Sequence, residues 1–224
     1  MITATAPTSL EETYLTHERS LAEQGAGPVA GVDEVGRGAL AGPLAAAAVV
    51  LPELDEILAD PFWSRVRDSK KILEPERIRL AQGIRERARA VSVALIPSDI
   101  IDWVGVGPAN RLAMEAAING LTDSPAIVLL DAFVTDLGTP QVSFMKGDNC
   151  SLSIAAASIV AKVARDELMH DYDREYAVFG FGKHKGYGAR THLEALRIHG
   201  PCPIHRFCFA PVRIAHEAHR RAGD

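Results

Sequence analysis

The segment Ala126-Ile127-Val128-Leu129-Leu130 is a continuous apolar run of strand length that stops at a carboxylate, Asp131. A strand without polar alternation is buried on both faces, the habit of parallel strands with helices above and below. The rest of the chain supplies those helices. Pro75 to Ala90 spaces Ile78, Leu80 and Ile84 with charges between them, a second helix is predicted over about Pro108 to Gly120, and a third from about Ser151 to His170. Val29 to Val35 and Pro43 to Leu51 read as two strands joined by a glycine-rich turn, an opening hairpin, with further strands at Val91 to Ile96 and Val142 to Met145. Strands alternating with helices indicate an α/β domain.

Thr8 to Gln24 reads as a short amphipathic helix, with Ser9 and Glu12 at capping-box spacing and Leu10, Tyr14, Leu15 and Leu21 as its apolar stripe. Pro52 to Pro61 reads as loop and short helix, and another helix is predicted from Ala189 to His199. At 224 residues and 47% hydrophobic content the chain can build one substantial core unaided. No repeat or linker divides it. Residues 1–27 are expected as an N-terminal helical extension and 28–222 as a single domain, an α/β core to about residue 170 with a C-terminal loop and helical segment after it. Cys150, Cys202 and Cys208 leave an odd thiol and form no Cys-x-x-Cys pair, which fits a reducing compartment. The first residues lack a basic n-region, and no apolar run approaches the roughly 20 residues needed to span a bilayer. A cytoplasmic monomer without membrane association is expected.

The net charge of -5 argues against indiscriminate nucleic-acid binding but conceals an asymmetry. Between Lys183 and Arg221, eight Lys/Arg stand against Glu194 and Glu217, and six of the eight histidines fall there too. Such a cluster is either a solvated face or the place where a polyanion docks.

Acids are the chemical anomaly. In Gly31-Val32-Asp33-Glu34-Val35-Gly36-Arg37-Gly38, adjacent carboxylates end an apolar segment and run into a Gly-Arg-Gly turn. Buried strands exclude Asp and Glu unless these are paired or bind a metal. The bland alternative is a polar strand end, with Asp33 capping a turn and Arg37 paired to Glu34. Asp131 is stranded in the same way, although alone it is an ordinary turn-opening residue. Asp148 precedes the Ala-rich helix and is equally an N-terminal turn acid or a preorganised ligand. Carboxylates at the same end of neighbouring parallel strands, about 4.8 Å apart, can share a divalent cation. Four hard oxygen ligands without His or Cys select Mg²⁺ or Mn²⁺, and two such ions suit phosphodiester hydrolysis. Consecutive side chains on a regular strand face opposite ways, so Asp33 and Glu34 converge only if the strand ends, bends or bulges.

Gly31 to Gly38 resembles the opening motif of ribonuclease HII, the type-2 ribonuclease H that cuts RNA paired to DNA. Further markers recur in order: Asp68-Ser69-Lys70-Lys71, Asp131 after its apolar strand, Lys146-Gly147-Asp148, Ser153 to Val163, Arg165-Asp166 and His184-Lys185-Gly186-Tyr187. The resemblance runs from Val29 to about Arg213. It implies a ribonuclease H-like mixed β-sheet flanked by helices, with Asp33, Glu34, Asp131 and Asp148 as catalytic metal-binding acids. It also implies that Gly36, Arg37 and Gly38 recognise the ribose 2′-hydroxyl and that Tyr187 packs on the sugar following the junction. A 2′-hydroxyl is what separates RNA from DNA at one nucleotide, and amides beside glycines can approach it closely. Tyr187 between Gly186 and Gly188 is otherwise a loop anchor. Lys70, Lys71, Lys146, Lys162 and Lys185 are candidates for phosphate contact, each also readable as a solvated lysine. Ala132-Phe133 stands where many relatives carry glycine, a departure that bears on the loop after Asp131.

The expectation is an endonuclease with Mn²⁺ or Mg²⁺, two ions when substrate is bound, cutting the RNA strand of hybrids and cutting 5′ of ribonucleotides embedded in DNA, in replication and repair. Its rivals are another metal-dependent nuclease of the same fold and a silent hybrid-binding module. Retained acids argue against the module, since a binder of polyanions gains nothing from negative charge.

Overall fold

Five strands form one sheet: β1 (Val29–Val35), β2 (Leu44–Val50), β3 (Ala90–Ile96), β4 (Ile127–Asp131) and β5 (Gln141–Phe144), ordered β3-β2-β1-β4-β5. The computed structural model describes residues 14–223. β1, β2 and β3 pair antiparallel, so the predicted hairpin is present, while β4 and β5 add in parallel to β1. The helices are α1 (Thr16–Glu23), α2 (Leu54–Ala59), α3 (Glu74–Arg87), α4 (Ser98–Val104), α5 (Val106–Asn119), α6 (Leu152–Glu175), α7 (Phe181–His184), α8 (Arg190–His199) and α9 (Ala210–Gly223). Among the described residues no helix is long and apolar enough to cross a membrane.

Strand alternation sorts the side chains into two cores. Ala30, Val32, Ala46, Ala48 and Leu130 meet Ala113, Met114 and Ala117 of α5 on one face. On the other, Ala47 and Val49 meet Ala155, Ala156 and Ile159 of α6 and the buried Trp63. Small residues let α6 lie almost on the sheet: a Cβ at Gly31 would stand 2.0 Å from the carbonyl carbon of Ser153. The alanine run of β2 is therefore sandwich packing, since residues 44–50 are buried on both sides.

The differences from the sequence reading have local causes. α3 stops at Arg87 because Arg89 already bonds Val50 across the sheet and Ala90 belongs to β3. α6 continues five residues past His170 to Glu175, so that Met169, Tyr172 and, just beyond the helix, Tyr176 join a third core with Phe179, Phe181, Leu196 and Val212. α4 was not anticipated; its seven residues bury Ile101. The glycine-rich loop after Tyr176 contains the single turn α7.

Ser9, Leu10 and Glu12 of the expected N-terminal helix lie outside the described residues. Leu15 is buried as expected, but Leu21 is only partly so, and the helix's own buried residue is Glu18. Its Oε1 accepts hydrogen bonds from Ser151 Oγ (2.6 Å), Ser153 N (3.0 Å) and Ser153 Oγ (2.8 Å), so α1 caps the first turn of α6. Charge at a helix N-terminus is favourable. Glu18→Ala is expected to lower stability by about 1–3 kcal/mol, because a buried amide and two hydroxyls lose their acceptor. Thermal melting reads this directly; an unchanged melting temperature would mean that the three donors find other partners.

Candidate active site

The parallel register sets the geometry. Val32 lies opposite Leu130, so one further step along both strands brings Asp33 and Asp131 side by side at the sheet edge. β1 neither bends nor bulges there, since its ladder with β2 is unbroken through Val35. The neighbour differs there: β4 ends at Asp131 and its pairing with β1 stops at Val32–Leu130, so Glu34 lies beyond the last residue of β1 that β4 pairs with. Asp33, Glu34 and Asp131 line one cavity of about 250 Å³, with Val35, Ser69, Lys70, Ser158, Lys162 and Tyr187.

Asp33 is nearly inaccessible, at 5% exposure. Burial, then the adjacent charge of Glu34 and that of Asp131, push its carboxyl up to about 8, against a hydrogen bond from Ser158. Glu34 is also raised, by burial and by Asp131, while Arg37 and Lys70 pull it down. Repulsive acids at a water-accessible edge call for positive charge. Asp131 Oδ1 accepts the Gly147 amide at 2.8 Å, which ties β4 to the turn bearing Asp148. Asp148 is buried; its Oδ2 lies 3.5 Å from Lys70 Nζ and its Oδ1 accepts from Asn149 at 2.9 Å. Among the described residues no three His, Cys, Asp or Glu side chains already enclose an ion-sized space. The oxygen donors nonetheless fit Mg²⁺ or Mn²⁺, which keep water and substrate oxygens in their shells and need few protein ligands.

Gly36 turns the chain at φ +87, and a Cβ there would lie 2.1 Å from Arg165 Nε. Its amide donates to Tyr187 Oη at 3.2 Å, linking the strip to the distant aromatic. Arg37 and Gly38 are exposed. The Arg37 guanidinium lies 4.8 Å from the centre of the Phe133 ring, and no Arg37–Glu34 ion pair occurs among the described residues. Ala132 adopts φ +60, a left-handed conformation costing about 1–2 kcal/mol without glycine.

The lysines divide. Lys70 and Lys162 line the cavity, with Lys162 Nζ 2.8 Å from Asp166. Lys71 pairs with Asp68 and Asn149 beside it. Lys146 is exposed at the left-handed turn before Gly147. Lys185 is not brought to the cavity. It is 8% exposed, with Nζ bonded to His170 Nε2 at 2.8 Å and to the Gly182 carbonyl. The basic C-terminal region is likewise not one solvated face, because Arg206 and His205 are interior.

Ser69 and Ser158 are the cavity residues that sequence reasoning left without a role. Their hydroxyls meet at 2.9 Å, and Ser158 reaches Asp33. Both belong to the motifs that carry the resemblance, as does Arg165. Behind Tyr187, His192 Nδ1 donates to the Tyr187 carbonyl at 2.9 Å, and His192 Nε2 meets His205 Nε2 at 3.0 Å, with His205 Nδ1 receiving the Cys202 amide at 2.9 Å. That chain needs both rings neutral. Burial pulls each down to about 4. A histidine depressed in the fold stabilises it above the unfolded value near 6.5 and loses that contribution as pH falls through 4. The protein is expected to lose on the order of 2–3 kcal/mol between pH 6.5 and 4. Chemical denaturation across that range checks it, and His205→Gln should flatten the slope.

The family model described as Ribonuclease HII matches residues 30–212. A curated Ribonuclease HII from Bacillus velezensis is 47% identical over 197 residues, covering 88% of this chain and 75% of its own. The solved ribonuclease H2 from Pyrococcus horikoshii OT3 has a TM-score of 0.75 at 24% identity, covering 87% of this chain and all of its own. Bst-RNase HIII in complex with Mn²⁺ has a TM-score of 0.60 at 20% identity, covering 87% of this chain and 70% of its own. Both structural matches share the mixed sheet flanked by helices.

Proposed function

The chain belongs to the ribonuclease HII family, enzymes acting on RNA–DNA hybrids, and from that premise we propose that it also cuts 5′ of single ribonucleotides embedded in duplex DNA, leaving 3′-hydroxyl and 5′-phosphate ends. The observation that carries the reading is the cavity in which Asp33, Glu34 and Asp131 meet beside Tyr187. We read residues 28–222 as the catalytic unit and 1–27 as an extension whose Glu18 secures α6.

Asp33, Glu34 and Asp131 would hold Mg²⁺ or Mn²⁺, with Asp148 joining a second ion once Lys70 releases it; Mn²⁺ is the ion found with the fold relative Bst-RNase HIII. Such ions supply Lewis acidity at the scissile phosphate and a lowered pKa for the attacking water. The protein's own groups do the rest. Ser158 orients the Asp33 carboxylate through its hydrogen bond. Gly36, Arg37 and Gly38 meet the ribose 2′-hydroxyl, which is donor and acceptor at once. Tyr187, held by the Gly36 amide, offers its face to the next sugar. Lys70 and Lys162, which line the cavity, and Lys146, exposed on the turn before Asp148, would contact backbone phosphates, and Lys185 is left to the scaffold.

A duplex bearing one ribonucleotide and its all-DNA counterpart, run on a gel with Mg²⁺, Mn²⁺ or chelator, tests substrate, cofactor and cut position together. The expected product is a single cut 5′ of the ribonucleotide, absent with chelator and absent from all-DNA duplex. Equal cutting of both duplexes would move the chain to the rival nuclease reading.

A further inference from the structure

Arg206 is fully buried, and the partners of its guanidinium are carbonyl oxygens. Nε donates to Gly42 O at 2.8 Å; Nη1 donates to Gly36 O at 2.8 Å and to Arg37 O at 3.1 Å. Nη2 has no partner among the described residues. Arg165, buried beside it, similarly bonds the carbonyls of Pro43, Lys185 and Ala41. Isolated buried charge is costly, so a cation held only by main-chain oxygens points to a demand on the main chain itself.

A peptide unit is planar and trans, and its N–H points opposite to its C=O. The Gly36 carbonyl shares a plane with the Arg37 amide, and the Arg37 carbonyl with the Gly38 amide. Both carbonyls face inward to Arg206. The two amides therefore face outward, on residues that are exposed, and neither has an acceptor among the described residues. We propose that Arg206 is the positioning residue for ribose discrimination, aiming the Arg37 and Gly38 amides at the 2′-hydroxyl oxygen by drawing their carbonyl partners into the interior. This rests on the ribonucleotide-cutting function proposed above. Lysine cannot reproduce the fork, because one ammonium on a flexible stem does not span Gly42, Gly36 and Arg37 in fixed directions.

Two measurements test it. In the unaltered protein, with chelator present so that no strand is cut, amide resonances of Arg37 and Gly38 are followed while ribonucleotide-bearing or all-DNA duplex is added. Both should move markedly with the first and little with the second; equal response to the two overturns the inference, and this holds even if variants fold poorly. For Arg206→Lys, single-turnover cleavage below its own melting transition should fall roughly 100-fold, while affinity for all-DNA duplex and the Mn²⁺ activation midpoint stay at unaltered values. A variant rate close to the original, or a loss that merely tracks the unfolded fraction, also overturns it. If the unaltered protein cuts both duplexes alike, the proposed function falls, and this inference with it. Ribose-dependent cutting with unresponsive amides sinks this inference alone.

Discussion

Asp33→Asn is expected to reduce cleavage of a ribonucleotide-bearing duplex by about 10³-fold or more, since metal Lewis acidity contributes several kcal/mol and each 1.36 kcal/mol is tenfold. The fold should survive. In chelator the wild-type side chain is a liability: it stands beside Glu34 and Asp131, out of water. An acid raised in the fold stabilises it below its unfolded value of 3.8, and that contribution disappears as pH rises through about 8. Asparagine carries no such charge. Above pH 8, metal-free Asp33→Asn should melt no lower than wild type, and wild type alone should gain strongly from added Mn²⁺. Full activity in the variant would remove Asp33 from the chemistry; a collapsed melting temperature would make the loss structural.

Metal affinity should itself depend steeply on pH. With Asp33 held near 8, a proton must leave before the carboxylate can ligate, so the apparent Mn²⁺ dissociation constant should weaken roughly tenfold per unit as pH falls from 8 to 6. Titration calorimetry at pH 7 in buffers of different ionisation enthalpy should count about one proton released per binding event. The activation midpoint for cleavage should shift in parallel. Flat affinity between pH 6 and 8 without proton release would mean that the ions sit elsewhere.

The parts of this arrangement that sequence made visible share a cause. Carboxylates closing apolar runs are rare enough to stand out, so Asp33, Glu34 and Asp131 could be read directly, and the uninterrupted apolarity of residues 126–130 announced a doubly covered strand. What stayed hidden was meaning that depends on a partner far along the chain. Arg206 reads as one more cation in a basic tail until its carbonyl partners, about 165 residues earlier, are seen. Lys185 sits in a substrate-like motif yet turns to His170. Glu18 occupies a polar helical position because the donors to its carboxylate belong to the first turn of another helix. The convergence of Glu34 was undecidable for a related reason: nothing in β1 itself shows that its pairing with β4 stops short of Glu34.

The bond between Gly36 and Tyr187 spans 151 residues. Closing so long a loop is entropically opposed until most intervening structure exists, and non-local pairing forms late in folding. The three-strand meander at the start can assemble early from neighbouring segments, carrying Asp33 and Glu34 with it, but without Asp131 or the aromatic wall. In a nascent or partly unfolded chain Asp33 and Glu34 would thus stand without Asp131 and Tyr187 beside them, and the proposed cutting centre would be complete only once the whole molecule has folded.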